Sequence, residues 1–285
     1  MSRENAQSFE APAKGPLIYR QSVVTRLTHW TWALCFFFLL LSGLQIFNAH
    51  PTLYIGNESG FGYDNAVLSM RAVNTANGPE GRTKILGHEF NTTGFFGLSG
   101  PADDLDARGF PAELTIPSYR DLGTGRVIHF FFAWLLVVTL VVWLMASLFS
   151  GHLRRDLAPT RNDLKNLPRD VAEHARFQFH HGRSYNVLQK LAYCGVFFIL
   201  FPLIIATGLA MSPGMDAGFP WLVEVFGGRQ TARTIHFVAM FLLVLFAVTH
   251  VLMVVAAGPF NELRSMITGW YRTSPGTPET EGDKR

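Results

Sequence analysis

A chain of 285 residues that is 48% hydrophobic and only 16% charged, with 25 Phe and 6 Trp, is too apolar and too aromatic to be disordered. Two cysteines exclude a disulfide-rich secreted module. A net charge of +3, spread evenly, excludes a dedicated nucleic-acid binder.

The apolar residues are gathered into blocks. Leu27–Phe47, Val127–Phe149, Leu191–Met211 and Ile235–Ala257 are each 21 to 23 residues long, and every Asp, Glu, Lys and Arg lies outside them. A helix of that length crosses a hydrocarbon core of about 30 Å. The expected fold is an all-α membrane protein, a four-helix transmembrane bundle occupying residues 22–257. Its spans run over about 22–47, 127–149, 189–211 and 235–257. Residues 1–21 are expected to be a cytoplasmic segment. The first span is not expected to be a cleaved signal, because more than twenty residues precede it and its apolar run is too long.

Loop charge orients the bundle. The segments before the first span, between the second and third, and after the fourth hold 16 Lys/Arg against 10 Asp/Glu; the other two loops hold 8 against 11. Both termini are therefore expected in the cytoplasm of a bacterial inner membrane. The long loop 48–126 is expected on the periplasmic side, irregular, with short strands near Thr52–Ile55, and long enough to dock a partner. Pro202 is expected to kink the third span. Residues 258–272 place Phe260, Leu263, Met266, Ile267 and Trp270 at helical spacing, as in an interfacial helix. The tail after Thr273 is expected to be disordered. Cys35 and Cys194 read as free thiols within spans.

Four histidines enter the apolar runs: His29, His129, His236 and His250. Ionisable groups are costly inside a membrane and mark function. The topology puts His29 toward the inner side and His129 and His236 toward the outer side. His250 follows His236 by 14 residues, about 21 Å along the helix and within about 40° of the same face. Each leaflet thus holds two histidines from two helices. Two stacked haems fit this pattern, one between His129 and His236 and one between His29 and His250. The depths of the inner pair match better if the first helix begins near Ser22. The alternative for any one histidine is a bond to a neighbouring carbonyl. His50, His88, His152, His174, His180 and His181 lie in loops, where His180–His181 is at most a weak metal site. The spans hold no paired carboxylates and no nucleophile with a base, so the chemistry expected is electron movement.

Further stretches carry a family resemblance: Arg26-Leu-Thr-His29-Trp30, Gly125-Arg126-Val-Ile-His129-Phe130, Tyr185-Asn186-Val-Leu-Gln189-Lys190, Thr207-Gly208-Leu-Ala-Met211 and Arg233-Thr-Ile-His236 through His250. Over residues 16–272 the chain resembles the bacterial four-helix di-haem cytochromes b. That group contains cytochrome b561 and the cytochrome b subunits of nickel–iron hydrogenase, formate dehydrogenase and thiosulfate reductase. Leu114–Leu122, Phe226-Gly-Gly-Arg229 and Gly258–Trp270 are similar to the thiosulfate-reductase-like branch, which accompanies periplasmic molybdopterin oxidoreductases.

The resemblance implies two haem b and a quinone site at Asn186, Gln189, Lys190 and His250. Read without it, Asn186 caps the third helix and Gln189 and Lys190 anchor it at the interface. Arg26 and Arg126 flank the haem levels, as Arg20 and Arg233 do. They suit haem propionates or ordinary membrane anchoring. Gly43 and Gly208 allow a helix or a macrocycle to approach closely. The competing readings are a cytochrome subunit of a hydrogenase, formate dehydrogenase or thiosulfate reductase, and a haem-free four-helix transporter or assembly anchor.

Overall fold

Charge-free runs rich in Leu, Val and Phe satisfy their backbone groups internally, and in the computed structural model they form long helices. The structure describes residues 15–101, 103–175 and 187–273. In chain order the elements are β1 (Leu17–Tyr19), α1 (Val23–Asn48), β2 (Thr52–Tyr54), β3 (Ala66–Thr75), β4 (Gly78–Ile85), β5 (His88–Asn91), α2 (Leu122–Phe149), α3 (Arg161–Ala175), α4 (Val187–Gly195), α5 (Phe201–Ala210), α6 (Pro213–Gly218), α7 (Trp221–Val225), α8 (Arg229–Ala257), α9 (Pro259–Thr268) and β6 (Trp270–Arg272).

Four helices are long and apolar enough to cross a membrane: Val23–Asn48, Leu122–Phe149, Val187–Ala210 and Arg229–Ala257. Apolar side chains such as Val127, Phe131, Trp134, Phe241 and Leu252 stand exposed along them, as lipid-facing residues do. The third span is not one regular helix. A π turn at Val196–Leu200 joins α4 to α5. Pro202 sits in the first turn of α5. Proline has no N–H to donate and its ring crowds the carbonyl four residues back, and the wider turn just before it takes up that defect.

The described residues fall into two compact units. One takes residues 28–145 and 193–247. Here the long loop departs from the irregular chain expected of it. β2, β3, β4 and β5 form a four-stranded antiparallel sheet in that order. The β4–β5 hairpin turns on Leu86 and Gly87, with φ of 47° and 89°. Two positive φ values are the requirement of the tight hairpin turn that matches strand twist. The sheet packs Leu53 and Met70 onto Phe47 of α1, with Phe96, Phe110 and Phe237 around them. Phe237 immediately follows His236. The helices of this unit pack through aromatic rings. Phe38 and Phe132 stack at 4.3 Å and Trp143 and Phe197 at 4.3 Å, while Trp32 Nε1 donates to Thr139 Oγ1 at 3.1 Å.

The other unit takes residues 15–27, 146–192 and 248–273 of the described chain. Ser22 Oγ accepts the Thr25 N–H at 3.1 Å and starts α1. Residues 258–272 form α9 and then β6, which pairs antiparallel with β1. Arg20 lies over the Tyr271 ring at 4.8 Å and beside Glu262 at 3.9 Å. Asn261 donates to the Arg272 carbonyl and accepts its N–H. Residues 1–14, the tail after Thr273, and His180–His181 lie outside the described residues.

Candidate functional site

His129 on α2 and His236 on α8 meet inside the bundle, with ring centroids 6.4 Å apart and planes tilted by 57°. Each ring is held by a hydroxyl from a third or fourth helix. Ser42 Oγ on α1 lies 3.1 Å from His129 Nδ1, and Thr207 Oγ1 on α5 lies 3.1 Å from His236 Nδ1. Both hydroxyls are fully buried, and both are committed as donors to their own helix. Ser42 donates to Phe38 O at 2.5 Å and Thr207 to Leu203 O at 2.7 Å. A hydroxyl has one hydrogen, so each must accept from Nδ1–H. The hydrogen-bond network thus assigns the tautomer with Nε2 unprotonated. That is the nitrogen with a lone pair to give.

The residue after each hydroxyl is glycine. A Cβ at Gly43 would come within 3.3 Å of His129 Cε1, and one at Gly208 within 3.3 Å of His236 Cε1. The two rings are therefore seated in matching notches, each bounded by a hydroxyl and an absent side chain.

This donor set fits a haem. Two imidazoles that face one first-row metal through nitrogens about 2 Å away have ring centres roughly 6 Å apart. Neutral imidazole is an axial haem ligand, and its other N–H is normally given to an acceptor. Among the described residues no cluster of three or more His, Cys, Asp or Glu gathers. Two imidazoles do not complete the coordination of a lone transition metal, but they suffice when a macrocycle supplies the in-plane nitrogens.

The remaining predicted residues are placed as follows. His29 lies on α1, half-buried, edge-on to Trp30 at 5.4 Å. His250 lies on α8, also half-buried. Arg126 is exposed, over the Phe130 ring at 5.6 Å. Arg26 Nη1 donates to Ile267 O at 2.6 Å, tying α1 to α9. Gln189 and Lys190 sit on the first turn of α4, where Lys190 Nζ donates to Asp163 Oδ2 at 2.9 Å. Asn186 lies outside the described residues.

The N-terminus of α8, about two turns before His236, is clasped by the extramembrane segment. Arg233 donates to His50 O at 2.6 Å and Thr52 O at 3.0 Å, and Thr234 to Tyr54 O at 2.7 Å. The Gly56 carbonyl accepts the N–H groups of Gln230 and Thr231. Burial and the nearby Arg233 charge both lower the His50 pKa.

Ser42 and Thr207, which meet the two rings, and the buried Arg108 were not singled out from the sequence. A signal for the first two exists: Ser42-Gly43-Leu44 and Thr207-Gly208-Leu209 repeat one short pattern in two spans.

Comparison with known proteins agrees with the site. Residues 20–269 match the family model of prokaryotic cytochrome b561. A stretch of 146 residues is 32% identical to YedZ1 of Azospira oryzae, named as a protein-methionine-sulfoxide reductase subunit; it covers 50% of this chain and 70% of that one. With four membrane helices, an inward-facing histidine pair, and a match running from before the first span to beyond the last, the chain belongs to the prokaryotic cytochrome b561 family of haem b membrane electron-transfer proteins.

Proposed function

We propose that the protein carries two haem b and exchanges electrons between the quinone pool on the cytoplasmic side and a redox partner on the periplasmic side. The observation that carries this reading is the His129–His236 pair, with both Nδ1 atoms held on hydroxyls and the Nε2 lone pairs left to bind a metal. These two residues would hold the outer haem. His29 and His250, matched in depth by the sequence, would hold the inner one.

Bound haem supplies a one-electron couple at each level. The chain does the rest. Its helices exclude water from the ligands, and its hydroxyls orient them. Asn186, Gln189, Lys190 and His250 would bind the quinone headgroup, which needs amide or ammonium donors to its carbonyl oxygens. Arg26 and Arg126 would meet propionates.

Loops richer in Lys and Arg on one side support an inner-membrane protein with both termini in the cytoplasm. The sheet of residues 52–91 would then face the periplasm and dock the partner. YedZ1 supports a reductase of the methionine-sulfoxide type, and hence a molybdopterin oxidoreductase, as that partner.

The test is a reduced-minus-oxidised spectrum with a pyridine haemochrome count on the purified protein. Two haem b per chain are expected. His236→Ala should lose the outer haem and His29→Ala the inner. A protein made with ample haem supply that binds none would refute the reading.

A further inference from the structure

The geometry points to Ser42–Gly43 and Thr207–Gly208 as a duplicated positioning device that sets the redox potential of the outer haem. The inference rests on the haem reading above and concerns the two hydroxyls and two glycines, none of which is a ligand. Three observations carry it.

First, the two halves match atom for atom. Each hydroxyl sits 3.1 Å from an Nδ1, donates to the carbonyl four residues back, and precedes a glycine whose hypothetical Cβ lies 3.3 Å from the same ring's Cε1. Span hydroxyls commonly bond back to their own helix, so that bond alone would mean little. Its meeting with the partner histidine in both halves is what requires explanation.

Second, both hydroxyls are fully buried. No water competes for the Nδ1–H, which each ring shares between the hydroxyl and a backbone carbonyl, Leu39 O for His129 and Ile204 O for His236, so the hydroxyl contributes to how much electron density each imidazole can pass on. An acceptor at Nδ1 makes the ligand more basic and favours the ferric state. A hydroxyl does this less than a carboxylate would, because it carries no charge. The device therefore holds both ligands neutral and moderately basic.

Third, the glycines limit the ring angle. With a side chain at 43 or 208 the ring must rotate or withdraw by several tenths of an ångström. The notches thus limit how each ring can turn, in an arrangement whose planes stand 57° apart.

The experiment is spectroelectrochemical titration of the detergent-purified holoprotein, with low-temperature EPR of the ferric haems. Ser42→Ala and Thr207→Val remove the acceptors at little cost in volume. The outer haem is expected to become easier to reduce, with its reduced-to-oxidised ratio at a fixed potential rising severalfold. Haem retention against a haem scavenger should fall about tenfold. Ser42→Thr and Thr207→Ser keep the hydroxyl and should keep the parent potential. If the first pair loses haem altogether, the second pair decides: retained haem at the parent potential supports the device, and a shifted potential overturns it. Gly43→Ala and Gly208→Ala should change the EPR anisotropy of the outer haem alone. Unmoved potential and EPR in Ser42→Ala and Thr207→Val overturn the inference. Absence of histidine-ligated haem in the parent would instead overturn the haem reading itself.

Discussion

Lys190 at the start of the third span gives its ammonium to Asp163 at 2.9 Å, and only 8% of the lysine side chain is exposed. The same carboxylate caps α3. It accepts the N–H and hydroxyl of Thr160, whose oxygen accepts the Asp163 N–H in return. One carboxylate therefore joins a helix start to a membrane span. Asp163→Asn should destabilise the protein by about 1–3 kcal/mol, the cost of weakening a charged hydrogen bond to a buried partner. Thr160→Ala, which touches only the cap, should cost about 1 kcal/mol. Thermal melts in detergent check both. If Asp163→Asn costs no more than Thr160→Ala, the ion pair adds nothing.

The same pair gives a pH dependence. The Lys190 hydrogen bond, followed by the Thr160 contacts, lowers the Asp163 pKa from 3.8 to about 2. A carboxylate depressed in the folded state stabilises it above the unfolded pKa. The contribution should be complete above about pH 4 and lost as pH falls toward 2. Asp163→Asn should flatten that part of the profile. A parent and a variant that lose stability in parallel between pH 4 and 2 would show that other carboxylates dominate there.

Gly228 is where α8 meets the extramembrane segment. Its φ is +117°, and a Cβ there would fall 2.5 Å from both Gly56 O and Asn57 Oδ1. Those atoms accept the first N–H groups of α8, so they cannot withdraw without uncapping the helix. Gly228→Ala should cost at least about 1–3 kcal/mol through the backbone alone. It should also make the 48–126 segment more sensitive to protease. Gly195→Ala is the control, because no atom lies within 4 Å of its Cβ position. It sits in a helix and should be neutral or gain up to about 1 kcal/mol.

The spans were legible because charge-free runs such as Val127–Phe149 have one physical reading at that length. The histidines were legible because they alone broke those runs. The sheet was not. β3 and β4 carry Arg71, Asn74, Glu80 and Lys84 among their residues, which blurs an apolar face, and the β4–β5 hairpin turns on Leu86-Gly87 rather than on an Asn-Gly; the β3–β4 connection, at Asn77-Gly78, does carry that signal. The β1–β6 pairing joins residues about 250 positions apart, and nothing local in either three-residue strand specifies the other. Ser42 and Thr207 were hidden for another reason. A hydroxyl in a span can satisfy itself on its own helix, so its sequence context does not reveal the ring it also meets.

Arginine gives the last contrast. Arg126, which the sequence offers equally as a propionate contact or a membrane anchor, lies exposed over Phe130; Arg108, unremarked in the sequence, is 5% exposed. Arg108 Nη1 donates to Ser118 O at 2.8 Å, while Nη2 reaches Gln45 Oε1 at 2.9 Å and Thr115 Oγ1 at 3.0 Å. Gln45 stands on α1 three residues after Ser42, so this fork ties the 108–118 segment to the helix whose Ser42 meets the His129 ring. Arg108→Met strands two buried acceptors, Gln45 Oε1 and Thr115 Oγ1, and removes the bond to Ser118 O, and should cost about 2–4 kcal/mol. Asp106 is not stranded, because Arg120 also holds it. Arg108→Lys should recover little, since one ammonium cannot reproduce a planar fork. Arg126→Ala should change stability by no more than about 1 kcal/mol. Denaturation of the four proteins in one detergent orders these costs. If Arg126→Ala proves the more damaging, the exposed arginine, and not the buried one, is what secures the outer end of the bundle.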